Sequence, residues 1–193
     1  MRKTSAVLIA SLATITLLAG CTTSSTEDPH AGHSDHSDHD HSSSTVMGET
    51  ETMFATMMIP HHQQAVEMSE LALANSTNED IRKLAQQILD AQKHEIEIMQ
   101  AWIDGHGHEV HGDHEMAGMA SEEDMAKLKS LRSPEFDELF LKLMIVHHEG
   151  ALEMVSMLDG TDKAEAQELA KHIVEVQQAE IDLMNQLLKQ LGS

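Results

Sequence analysis

Between residues 50 and 190, apolar side chains recur every three to four positions in four long runs separated by polar stretches. That spacing lays the apolar positions along one stripe of an α-helix, and the β-branched alternation of a strand is missing. The runs predict helices over roughly 50–74, 79–104, 134–158 and 163–190. Two polar turns, ANSTNED and DGTDKAE, join them in pairs. Residues 105–133 lie between the pairs: a Gly- and His-rich first half, then a short helix from Ser121. Ser121 and Asp124 have capping-box spacing there. Ser133 and Pro134 read as cap and first helical residue of the third long helix. Pro60 falls inside the first, so that helix either starts near it or kinks at it. The expected fold is all-α: a four-helix bundle of two tandem helical hairpins with a short helix in the crossover.

The two hairpins are copies. Phe54, Met58, Ile59, His61, His62, Ala65, Glu67 and Met68 recur 86 residues later as Phe140, Met144, Ile145, His147, His148, Ala151, Glu153 and Met154. The run 84-LAQQILDAQKHEIEIM-99 recurs 85 residues later as 169-LAKHIVEVQQAEIDLM-184. One residue has been lost in the second connecting turn.

At about 100° per residue, Phe54, Met58, His61, His62, Ala65 and Met68 share a sector about 120° wide, the width of a core-facing stripe. Glu67 points the other way. Met144, His147, His148, Ala151 and Met154 repeat the arrangement. On the partner helices, Gln92, Glu95 and Met99 share one face, as do Gln177, Glu180 and Met184. Two histidine pairs flanked by thioethers therefore point inward, with a carboxylate, an amide and a further thioether from each second helix. Burying His, Gln and Glu without partners is costly, and a chain that needed only a core would place Leu there. A bound metal would offset that cost. Imidazole with thioether is a soft-to-borderline set suited to copper: thioether favours Cu(I), and imidazole accepts Cu(I) or Cu(II). Met58, His61, His62, Met68, Met144, His147, His148 and Met154 are the candidate ligands. Glu95 and Glu180 are expected to accept from imidazole N–H and fix the tautomer, with Gln92, Met99, Gln177 and Met184 close by as further candidates. The alternative is a polar core in which these groups satisfy one another without metal.

Composition adds a compartment and a charge. Residues 1–20 carry Arg2 and Lys3 and then an apolar run too short for a stable membrane span, which reads as a secretory leader. LLAGC ending at Cys21, the sole cysteine, resembles a bacterial lipobox, so Cys21 is the expected lipidation site. Residues 21–49 are too poor in apolar groups to build a core and read as a disordered His/Asp/Ser-rich tether, followed by the folded part over 50–193. His30, His33, His36, His39 and His41 in the tether, and His106, His108, His111, His114, Met116 and Met119 in the crossover, form auxiliary metal-binding candidates. His94 and His172 fall on outer faces and read as surface residues. The formal net charge of −21 disfavours nucleic acid and attracts cations.

The doubled HH motif with its methionines, the Gln92–Glu95–Met99 run and its copy at Gln177–Glu180–Met184 resemble the domain of unknown function 305 family over about residues 50–190. The resemblance implies a ferritin-like four-helix bundle and an exported copper-binding role linked to copper tolerance. It also implies the Met and His positions of the two HH motifs as ligands. A ferritin-like di-iron centre needs Glu-x-x-His motifs facing inward, and none is present, so iron is not expected. The expected function is that of a non-enzymatic lipoprotein facing outside the cytoplasm. It would sequester copper or pass it to or from a partner protein. A redox enzyme at a copper centre and a metal-free envelope interaction protein are the two alternatives.

Overall fold

The computed structural model describes residues 47–104 and 116–192. Among them the secondary structure is all helical. Four long helices, α1 (Glu49–Asn75), α2 (Glu79–Asp104), α4 (Glu135–Val155) and α5 (Ala164–Leu191), form the bundle. The short α3 (Glu122–Ser130) lies in the crossover, and a 3-10 turn, Ser156–Leu158, follows α4. No helix among the described residues is long and apolar enough to cross a membrane. The leader, Cys21, the tether histidines and His106, His108, His111 and His114 lie outside the described residues.

Local chemistry sets the helix ends. At the start of α1 the Gly48 N–H donates to the Glu51 carboxylate at 2.7 Å. Asn78 caps α2, its side-chain oxygen accepting from the Asp80 and Ile81 N–H groups at 3.0 and 3.3 Å. Ser121 caps α3 as its spacing predicts, accepting from the Asp124 N–H at 3.1 Å. Gly192, at φ 84°, ends α5 in the left-handed conformation that favours glycine.

Two expectations change. The third long helix starts at Glu135, with Pro134 in the capping position and no side-chain cap. The Ser133 hydroxyl instead donates to Asp137 at 2.7 Å and accepts from the Thr77 N–H at 2.9 Å. The nearly buried Asp137 carboxylate outcompetes the helix end for that hydroxyl, and the contact ties the first hairpin's turn to the start of α4. The same helix closes as α at Val155 and reaches Leu158 only through the 3-10 turn. At Pro60 the helix does not begin: α1 continues through it, without the hydrogen bond that an N–H at this position would give the Thr56 carbonyl.

The core divides into two apolar clusters. One gathers Met68, Met144 and Met184 around Phe136, Phe140, Leu84 and Ile88. The other gathers Met58, Met99 and Met154 around Phe54, Trp102, Leu169 and Ile173. Met58 of α1 thus shares a cluster with Met154 of α4, and Met68 with Met144, as an antiparallel crossing of the two helices between the methionines requires. The crossing point is the pair of HH motifs.

Candidate metal centre

The four histidines form a polar layer between the two apolar clusters. His61, His62, His147 and His148 are all fully buried. His61 and His147 meet where α1 crosses α4, their ring centroids 3.8 Å apart and tilted by 36°. His62 and His148 turn outward to the second helix of their own hairpin. His62 Nε2 lies 2.7 Å from a Glu95 oxygen, and His148 Nε2 lies 2.8 Å from a Glu180 oxygen. The carboxylates thus accept from imidazole N–H as the helical spacing predicts, once in each repeat.

The hydrogen bonds fix where the lone pairs are. A backbone carbonyl can only accept, so His61 Nε2, 3.0 Å from the Ala117 oxygen, carries the proton and donates. Burial, together with the neighbouring His62 and His148, lowers the His61 pKa to about 4 against the pull of that carbonyl, so the ring is neutral at pH 7. Its Nδ1 is therefore a bare lone pair. Burial and the three neighbouring imidazoles likewise hold His147 well below the ordinary histidine range, against a weak opposing pull from the His61 backbone. His62 and His148 likewise turn Nε2 to a carboxylate, which leaves Nδ1 as the ring nitrogen without a partner. Among the described residues, Nδ1 of His61, His62 and His148, both ring nitrogens of His147, and both amide atoms of Gln92 and Gln177 are buried without a hydrogen-bond partner. Such groups each cost on the order of 1–3 kcal/mol when left unpaired. Neutral imidazoles at His61 and His147, with polarisable sulfurs in the cluster on either side, are what a soft cation would bind.

The methionines sort across the repeats. Met58, Met99 and Met154 share one cluster, and Met68, Met144 and Met184 share the other. The repeat maps each trio onto the other. Each trio takes the methionine before HH from one repeat and the methionine after HH from the other. Met58 and Met68, on either side of one motif, therefore belong to different ends of the layer. Among the described residues no three His, Cys, Asp or Glu side chains are gathered, as they stand, around one point.

A cover that the sequence does not reveal closes the layer. Residues 116–120 cross over α1 and α4. Gln64 clamps this segment, its side chain bonding the Ala120 N–H at 2.7 Å and the Ala120 carbonyl at 2.9 Å. Gly150, which replaces Gln64 in the second repeat, lets the segment pass: a Cβ there would sit 2.5 Å from the Ala117 carbonyl carbon. Met116 packs against the Met58 cluster, and Met119 is half-buried nearby in sequence. His94 and His172 are exposed, as their helical positions predict.

A helical bundle of two tandem hairpins around a buried His/Met layer is the class of protein these residues define. The chain belongs to the family of the domain of unknown function DUF305, whose model matches residues 51–188. It is similar to a DUF305 protein of Streptomyces coelicolor taken to be secreted, at 34% identity and TM-score 0.70, over 75% of this chain and 93% of that one. A DUF305 fragment from Deinococcus radiodurans is 32% identical at TM-score 0.68, over 75% and 99%. CopM in its Cu(I)-bound form is 32% identical at TM-score 0.63, over 74% and 98%, and CopM has also been solved with Cu(II) and with Ag. No curated protein matches this chain in sequence.

Proposed function

We propose that this protein binds copper, Cu(I) in preference to Cu(II), in the buried His/Met layer, and that it holds the ion as cargo for sequestration or transfer. The observation that carries the reading is the set of buried imidazole nitrogens without hydrogen-bond partners, between two methionine trios related by the repeat. Thioether sulfur selects soft cations, and imidazole nitrogen tolerates either copper state. CopM, solved with Cu(I), Cu(II) and Ag, supports the same chemistry for a similar bundle. The protein acts as a binder rather than an enzyme, a reading supported by four histidines with no exposed surface, which suits a held ion. It works outside the cytoplasm, held to a membrane by lipid on Cys21. The leader-like residues 1–20 and the secreted character ascribed to the Streptomyces coelicolor relative support that location.

Melting of the full chain under reducing conditions, with and without Cu(I), tests the reading. Metal held by a segment that binds alike in folded and unfolded chains does not raise the melting temperature, whereas metal held only by the fold does. Free Cu(I) at about a thousandfold excess over the dissociation constant stabilises by about 4 kcal/mol, or roughly 8–16 °C in a chain of this size. Replacing Met58, Met99 and Met154 by Leu, a swap close in volume, is expected to remove about half of that shift. An unchanged melting temperature on adding Cu(I) contradicts the proposal.

A further inference from the structure

The duplication builds two related grooves between α2 and α5; both carry carboxylates, and of the two only the first carries histidine. The first is lined by His94, Glu95, Glu165, Glu168 and His172. In the sister groove, lined in part by Gln87, Ala179 and Glu180, the repeat puts Ala179 in the place of His94 and Gln87 in the place of His172. Lys83 takes the place of Glu168, in a neighbouring hollow that it lines with Asp80. The sister groove forms between the same two helices without histidine, so the pairing of α2 with α5 does not itself demand the two histidines.

We propose that the histidine-bearing groove is a second cation site. It would take a borderline divalent ion of the Cu(II) type through His94, His172 and the flanking carboxylates. Imidazole nitrogen with carboxylate oxygen is the donor set such ions prefer, and it differs from the sulfur-rich core. The fixed member is Glu95, 2% exposed at the groove floor, with one oxygen 3.8 Å from His172 Nε2 and the other 2.7 Å from His62 Nε2. The imidazoles are the mobile members. The His94 and His172 side chains are 71% and 55% exposed, and His94 has a distant neighbour in Glu97 at 3.9 Å. As they stand these side chains are not gathered around one point, and the exposed imidazoles would close on an ion by rotating about their own side-chain bonds. Glu168 adds a carboxylate, while Glu165 is partly committed, accepting from the Trp102 indole N–H at 3.1 Å. The site shares Glu95 with the core layer but takes its nitrogen donors from outside it.

Paramagnetic broadening of backbone amide signals by Cu(II), followed by NMR on the full chain through several molar equivalents, locates the ion. The amides of His94, Ile98, Leu169 and His172 are expected to lose intensity, while those of Gln87, Ala179 and Leu183 in the sister groove persist. In a His94→Gln/His172→Gln variant, at least tenfold more Cu(II) is expected to produce the same loss. These positions are exposed, so the variant keeps its fold, and unchanged chemical shifts elsewhere verify that. Equal broadening in the two grooves, or broadening that survives in the variant, overturns the proposal and assigns the ion to the acidic surface or to other histidines. A chain that binds Cu(I) in the core yet shows no broadening in this groove overturns this site alone.

Discussion

Lowering the pH from 7 to 4 is expected to remove about 3 kcal/mol of stability from the metal-free protein through His61 alone. In the unfolded chain this imidazole takes up a proton near pH 6.5; in the folded protein burial and its histidine neighbours delay uptake to about 4. Above 6.5 neither state holds the proton, and stability is full. Between the two values the unfolded state binds a proton that the folded state refuses, so each pH unit of acidification costs about 1.4 kcal/mol. Below about 4 both states are protonated and the loss from this residue is complete. His147, shifted in the same direction by deeper burial, adds to the loss and carries it to lower pH. Urea unfolding at pH 7, 5.5 and 4.5 measures the slope. A His61→Gln/His147→Gln variant does not titrate at these positions, and the amide introduced on α1 can still donate to the Ala117 carbonyl. The variant is expected to lose several kcal/mol less across the window, and equal slopes in the two proteins would show that the layer does not resist protonation.

Gly150→Ala is expected to destabilise the protein by about 3 kcal/mol, lowering the melting temperature by roughly 6–12 °C. The added methyl would stand 2.5 Å from the Ala117 carbonyl carbon and 2.7 Å from the Gly118 Cα. These are backbone atoms, which cannot swing aside as a side-chain tip can. Gly118 is equally constrained: its φ is +80°, and a Cβ there would lie 2.5 Å from the Val146 carbonyl oxygen. The cover must therefore lift, and the His61 Nε2–H then loses its acceptor inside the core. Gln64→Ala, which releases the same segment from the opposite side by deleting two hydrogen bonds, is expected to cost about 2 kcal/mol. Calorimetric melting of both variants checks the ordering, and a Gly150→Ala protein that melts with the wild type would show that the cover is not seated on α4.

The helical period was enough to place the four histidines, Glu95, Glu180 and the six methionines on inward faces, because burial and periodicity are the same physical constraint seen twice. The duplication supplied the hairpin architecture for the same reason: each copy repeats its buried stripe. Which methionines meet was not legible. Met58 and Met68 look like partners along one helix, but the antiparallel crossing of α1 and α4 separates them, and crossing geometry leaves no trace in a single helix's period. Gly150 reads as a weak point in a helix until the path of residues 116–120 is known. Its mismatch with Gln64 was the available signal, since a copy departs from its template where the surroundings differ. His94 and His172 were correctly placed on outer faces, but the groove they share depends on the spacing between α2 and α5. Ser133 misled because capping rules describe a hydroxyl beside a helix end and not one beside a buried carboxylate.

The measurement that bears most directly on the central proposal is a Cu(I) titration of the full chain against a chromophoric competitor under reducing conditions. A variant with His61, His62, His147 and His148 all replaced by Gln runs beside it, with circular dichroism to verify its helices. Tight binding in the wild type, weakened at least a hundredfold in the folded variant, is the predicted result. Equal affinity in the two proteins would contradict it, leaving the paired histidines as structural groups and moving any copper site outside the layer.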